Sequence, residues 1–158
     1  MSDISDSHKT AGPPTTVEDV RRLVDEHNVE FIFAQFVDMH GKPNAKLIPA
    51  HHLEGLFKNG AGFAGAAAGH IGQRPNDPDL CAMPDPASFT LLPWRPGVAR
   101  LACDIHVDGR PWGYCPRTIL KNQIARAAEL GYELQIGAEL EYFLLKRTED
   151  GRLVIADE

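Results

Sequence analysis

From Glu133 to Leu145 the chain alternates apolar and polar residues with a period of two. Leu134, Ile136, Ala138, Leu140, Tyr142 and Leu144 fall on one face, and Glu133, Gln135, Glu139 and Glu141 on the other. This pattern predicts a β-strand, and a strand this apolar needs neighbours. Left unpaired it exposes Leu134, Ile136, Leu140 and Leu144 and invites association. The chain must therefore supply, or find, a sheet for these residues.

The same spacing places the carboxylates of Glu139 and Glu141 in one small volume, where they repel. Water offsets that repulsion on an exposed face, a shared proton does so in a pocket, and a divalent cation does so best. Hard cations such as Mg²⁺ and Mn²⁺ take oxygen ligands, so two carboxylates pointing the same way form half of a metal site. A half-exposed strand with an acidic face fits the spacing equally well. The acidic face continues into Phe143 and Leu145, toward a packed region, and Gly137 leaves room for a ligand or another backbone. Spacing alone leaves both readings open.

The rest of the chain excludes several function classes. Formal net charge is −6, from 22 acidic and 16 basic residues, with no basic stripe, which argues against nucleic acid or an anionic membrane as partner. No apolar run approaches the length of a transmembrane helix. Residues 1–16 are polar, contain Gly12-Pro13-Pro14 and lack a signal-peptide pattern, so they read as a disordered tail of a cytoplasmic protein. Cys81, Cys103 and Cys115 lack C-x-x-C spacing and read as small buried or half-buried free thiols.

Along the chain, Thr15-Thr16-Val17-Glu18 reads as a capping box opening a helix with Val17, Val20, Leu23 and Val24 on one side. Residues 29–37 are β-branched and aromatic, a strand expected to be buried on both faces. Met39-His40-Gly41-Lys42 turns it into a second strand through Ala45 and Leu47, with Asp38 as an Asx-type turn residue. A short helix over 51–57 closes at Gly60. Residues 60–79 read as one long loop, a functional or disordered feature inside a compact domain. Strands over 88–92 and 98–107 lead to a turn at Asp108-Gly109, and a helix over 116–130 ends at Gly131. Thr148-Glu149-Asp150-Gly151 turns a hairpin into Leu153-Val154-Ile155. Adjacent His51 and His52 diverge by roughly 100° on a helix and do not chelate one ion easily. His70 sits in the long loop, in reach of a ligand, while Trp94 and Trp112 read as packing or interface aromatics.

Gly137-Ala138-Glu139-Leu140-Glu141-Tyr142-Phe143-Leu144 resembles the Gly-x-Glu-x-Glu-Phe-Phe-Leu segment of the glutamine synthetase family. Colinear pieces upstream extend the likeness from about Val17 to Leu145. Phe36-Val37-Asp38-Met39-His40-Gly41-Lys42 with Lys46-Leu47-Ile48-Pro49-Ala50 resembles the family's first hairpin, and Gly60-Ala61-Gly62-Phe63-Ala64-Gly65 its glycine-rich substrate loop. Ala82-Met83-Pro84-Asp85, Ala99-Arg100-Leu101-Ala102-Cys103-Asp104-Ile105 and Pro116-Arg117-Thr118-Ile119-Leu120 follow in the family's order. The resemblance implies an α+β fold: a β-grasp-like N-terminal domain over 17–112, then, over 113–158, the first helix and strands of a glutamine-synthetase-type catalytic domain.

It also implies an ATP-dependent ligase that converts glutamate to γ-glutamyl phosphate and condenses it with an amine, using Mg²⁺ or Mn²⁺. Glu139 resembles the ligand of the metal bridging the ATP phosphates, and Glu141 a ligand of the second metal. The family forms homo-oligomeric rings, dodecamers among them, in which the loop over 60–72 works in the neighbouring subunit's site. Phe63, Ala64, Gly65, Ala67 and His70 are the expected loop residues of the amine subsite.

Ammonia-using members commonly carry Phe-Asp-Gly-Ser-Ser in this loop, whereas this chain reads Phe63-Ala64-Gly65-Ala66-Ala67. Losing the carboxylate weakens attraction for a small cation, and the methyl groups make the surroundings apolar. The phrase is similar to the branch of type III glutamate–ammonia ligases and γ-glutamylmethylamide synthetases, which favours methylamine as the amine. Ordinary glutamine synthesis is the alternative, and a non-catalytic β-grasp interaction module is the alternative of another class. Length is a further constraint: the chain has 158 residues and ends before the family's remaining metal, nucleotide and glutamate ligands. By itself it is expected to be inactive.

Overall fold

A computed structural model of the chain describes residues 12–67 and 73–156. The chain divides after Gln123 into two compact units.

The first unit opens with helix α1, Val17–Glu26. Thr16 is its N-cap and Asp19 completes the capping box, the Thr16 hydroxyl accepting from the Asp19 backbone N–H and the Asp19 carboxylate from that of Thr16. The box is thus displaced by one residue from the expected Thr15 and Glu18 pairing, because the Asp19 carboxylate reaches back to the Thr16 N–H at 3.1 Å. Val20 and Val24 form the buried stripe of α1.

Strand β1, Phe31–Val37, is followed by β2, Pro43–Pro49, then a 3₁₀ turn over Ala50–His52 and helix α2, Leu53–Asn59. Gly60 ends α2 at φ +70°, where its N–H bonds the Leu56 carbonyl. Short strands β3, Ala61–Phe63, and β4, Leu80–Pro84, pair antiparallel, and β5, Thr90–Leu91, precedes the long β6, Val98–Val107. Asp108 and Gly109, both at positive φ, turn β6 into β7, Arg110–Pro111.

The sheet runs β2-β1-β6-β4-β3, with β5 and β7 also paired to β6. β1 and β6 are parallel and the other pairs antiparallel. Register aligns one face: Ile32 with Ala99, Ala34 with Leu101, and Ala82 with Ile105. These residues, with Phe36, Leu80 and Cys103, are buried against Val20, Val24, Leu53 and Leu56 from the two helices. The core is therefore a helical layer on one face of a mixed sheet, the β-grasp arrangement.

Three expectations are corrected here. β1 buries alternate residues only, since among the described residues the helices pack on one face of the sheet and no second layer matches them on the other. The stretch 60–79 is not wholly loop, because Ala61–Phe63 finds β4 as a partner and joins the sheet. The strand expected over 88–92 shrinks to Thr90–Leu91, since Asp85 caps a 3₁₀ turn over Pro86–Ser88 that uses up the first residue. Cys81, Cys103 and Cys115 are free, the last two buried. Burial pushes the Cys103 thiol up to about 12. Trp112 packs against the core, whereas Trp94 is 77% exposed.

Helix α3, Pro116–Glu129, is followed by Gly131 at φ +81°, and the N–H groups of Gly131 and Tyr132 close its last turn on Ala128 and Ala127. The second unit ends in a hairpin of β8, Leu145–Arg147, and β9, Leu153–Ile155, turned at Gly151 as the sequence predicts. Between α3 and β8, residues 133–144 form no regular secondary structure, contrary to the predicted strand. Their alternation is intact, but a strand is defined by its ladder, and among the described residues only the Leu144 carbonyl, next to the hairpin, finds a backbone partner, accepting from the Ala156 N–H at 2.9 Å.

Candidate functional site

The expected site residues fall in two groups, one in each unit. In the first, β3 carries Phe63 to the point where the chain leaves the sheet. The Phe63 ring meets Phe36 edge-on, with centroids 5.0 Å apart and an interplanar angle of 88°. The ammonium of Lys46 lies 5.1 Å from its centroid. Beyond it, the Ala67 N–H donates to the Ala64 carbonyl at 3.0 Å and closes a tight turn. Ala64 and Ala67 are exposed, Ala66 is half-buried and Gly65 is buried. The amide of Gln73 fills the space where a Gly65 side chain would stand, and its Oε1 is buried with no hydrogen-bond partner among the described residues. His70 lies outside the described residues.

In the second unit, Glu139 and Glu141 are both exposed and make no hydrogen bond or ion pair among the described residues. Their neighbours Leu140 and Phe143 are exposed at 88% and 86%. No group of three or more His, Cys, Asp or Glu residues that could hold a metal occurs among the described residues. Carboxylate oxygen is the right donor for Mg²⁺ or Mn²⁺, but two side chains fall short of the six oxygens a hard cation takes. The pair can contribute to a metal site and does not complete one.

An ion-pair network escaped the sequence reading. Arg117, in the first turn of α3, donates from Nη2 to Asp85 at 2.6 Å and from Nε to Asp104 at 2.9 Å. Lys121, one turn on, bonds Asp104 as well and lies 3.5 Å from Asp85. Burial alone would raise the Asp104 carboxyl, but the bonds from Lys121 and Arg117 outweigh it and hold its pKa below the ordinary value. The spacing of Arg117 and Lys121 on one helix face was the available signal; their acidic partners are distant in sequence. Asp38 is buried and organises the first hairpin, accepting from the N–H groups of His40 and Lys42 and from Asn44 Nδ2. It is the turn residue the sequence predicts. His51 and His52 lie on the 3₁₀ turn and not on an α-helix, and their rings are tilted at 45° with centroids 4.2 Å apart.

Two family models match the chain. The model described as glutamine synthetase, beta-Grasp domain, matches residues 28–108, and that described as glutamine synthetase, catalytic domain, matches residues 113–157. The chain belongs to the glutamine synthetase family. Within that family it is 41% identical over 140 residues to a glutamate–methylamine ligase of Methyloversatilis universalis, covering 88% of this chain and 31% of the relative. It is 40% identical over 141 residues to a glutamine synthetase of Methanosarcina mazei, covering 87% and 31%. A solved structure of ligand-free GmaS superposes with a TM-score of 0.67 at 43% identity, over 70% of this chain and 26% of that one. The chain thus spans less than a third of the length of these relatives. No helix among the described residues is long and apolar enough to cross a membrane.

Proposed function

We propose that the polypeptide to which these residues belong is an ATP-dependent ligase that activates glutamate as γ-glutamyl phosphate and joins it to a small amine, with methylamine favoured over ammonia. Membership of the glutamine synthetase family supports the ligase class. Overall identity favours neither amine, because the methylamine-ligase and glutamine-synthetase relatives are almost equally similar. The observation that carries the choice is the loop. Residues 63–67 contain neither carboxylate nor hydroxyl, and Ala64 stands exposed where ammonia-using members place an Asp.

In this proposal residues 17–112 form the β-grasp domain and residues 113–158 open the catalytic domain. Phe63, Ala64, Gly65, Ala67 and His70 line the amine subsite of a neighbouring subunit in a cytoplasmic homo-oligomeric ring. Glu139 and Glu141 contribute carboxylate oxygens to Mg²⁺ or Mn²⁺. Bound there, the cations would neutralise phosphate charge during transfer to glutamate. Their carboxylates are exposed and without a partner among the described residues, which supports that role.

Steady-state kinetics on the full polypeptide with methylamine and ammonia test the assignment. One buried methyl group favours methylamine by roughly 10- to 200-fold in kcat/KM. Ala64→Asp should move the ratio toward ammonia, with some loss of total activity from a charge placed among alanines. An unchanged ratio would leave glutamine synthesis, as in the Methanosarcina relative, the better assignment.

A further inference from the structure

We propose that Lys46 is a positioning residue for the loop over 64–67, its ammonium holding the Phe63 ring from which that loop departs. This rests on the assignment of the loop to the amine subsite. Register places Lys46 opposite Ala34, a fully buried residue, so Lys46 projects to the core face of the sheet together with Phe36. β2 is the edge strand, and from there the lysine stem runs along apolar surface while the charge stays in water. Its ammonium ends 5.1 Å from the centroid of Phe63, whose ring meets Phe36 edge-on. Phe63 is the last residue of β3, paired with Leu80, and Ala64 is the first residue outside the sheet. Two contacts therefore fix the aromatic ring at the root of the loop, one apolar and one cationic.

An inward-pointing lysine also protects an edge strand from pairing with other chains. That role needs only a charge on β2. It does not require the charge to sit over an aromatic ring at the far end of β3, and this placement favours the positioning role.

Lys46→Met keeps the stem and removes the charge, and Lys46→Arg keeps both. Hydrogen exchange of peptides covering 61–67, measured on the 158-residue chain, should run about two- to fivefold faster in Lys46→Met, the worth of an exposed cation–π contact. Lys46→Arg should restore it, with the melting midpoint of neither variant changed. In the full polypeptide, KM for the amine should rise by the same factor in Lys46→Met with kcat unchanged, and return in Lys46→Arg. Unaltered exchange in Lys46→Met, or failure of Arg to restore it, would overturn the inference and leave Lys46 as an edge-strand charge. Faster exchange with an unmoved KM would keep the anchor and overturn the amine assignment of the loop.

Discussion

β6 and the segment 133–144 carry the same period-two pattern, yet the first is the centre of a sheet and the second has no ladder. β6 lies between β1 and β4 and buries Ala99, Leu101, Cys103 and Ile105. Leu134, Ile136, Leu140, Tyr142 and Leu144 are all exposed. Alternation states which residues share a face, and it does not state whether a partner strand exists to complete the ladder. The difference lies in long-range pairing, at the level of packing.

The sharpest way to break this comparison is to remove one leucine from each region. Leu101 is fully buried, and Leu101→Ala should cost about 2–5 kcal/mol of unfolding free energy, lost transfer energy plus the cavity left behind. Leu140 is 88% exposed, and Leu140→Ala should stay within about 0.5 kcal/mol. Denaturant unfolding of both variants of the 158-residue chain gives the two numbers. Comparable costs would mean that residues 133–144 are packed like β6, and the contrast would collapse.

A second contrast separates carboxylates that have partners from carboxylates that have none. Asp85 and Asp104 are neutralised by Arg117 and Lys121, while Glu139 and Glu141 have no ion pair among the described residues. If the unpaired acids hold cations, Glu139→Gln or Glu141→Gln in the full polypeptide should lower kcat at least about a hundredfold. Near-normal activity of both variants at low Mg²⁺ would make them surface residues.

Much of the first unit was legible because local signals and tertiary structure agree there. The start of α1 to within one residue, the Gly41 turn, the Gly60 stop and the long β6 are written in neighbouring residues, and Gly41 does adopt φ +78°. β3 and β4 were missed because they are short, and their pairing joins residues 61–63 to residues 80–82 across a Gly- and Pro-rich stretch. The Lys46 contact with Phe63 was equally non-local, although counting by twos from Ile48 along β2 would have turned Lys46 toward the core face. Of the candidate site, residue identities in the loop and the acidic pair were readable. The Gln73 packing on Gly65 and the clamp on α3 were not, since each joins residues that only folding brings together.

The smallest expected effect belongs to that clamp, and it is seen in acid. Asp104 has a folded-state pKa below its ordinary value, because the bonds from Lys121 and Arg117 outweigh burial. A depressed carboxyl contributes stability that is fully present above the unfolded pKa, about 3.9, and is lost as pH falls through the folded value. Arg117 and Lys121 are partly exposed, with side-chain exposures of 34% and 50%, so solvent screening limits the contribution to on the order of 1 kcal/mol. Unfolding free energies of wild type and Asp104→Asn should therefore differ most near neutrality and converge as pH drops below about 4. Asp19, Asp38 and Asp150 are depressed too, so wild type and variant will both weaken in acid, and only their difference reports the clamp. A difference independent of pH would show that the Asn substitution acts through packing, and that the ion pairs on the first turns of α3 add nothing to the hold of this helix on the sheet.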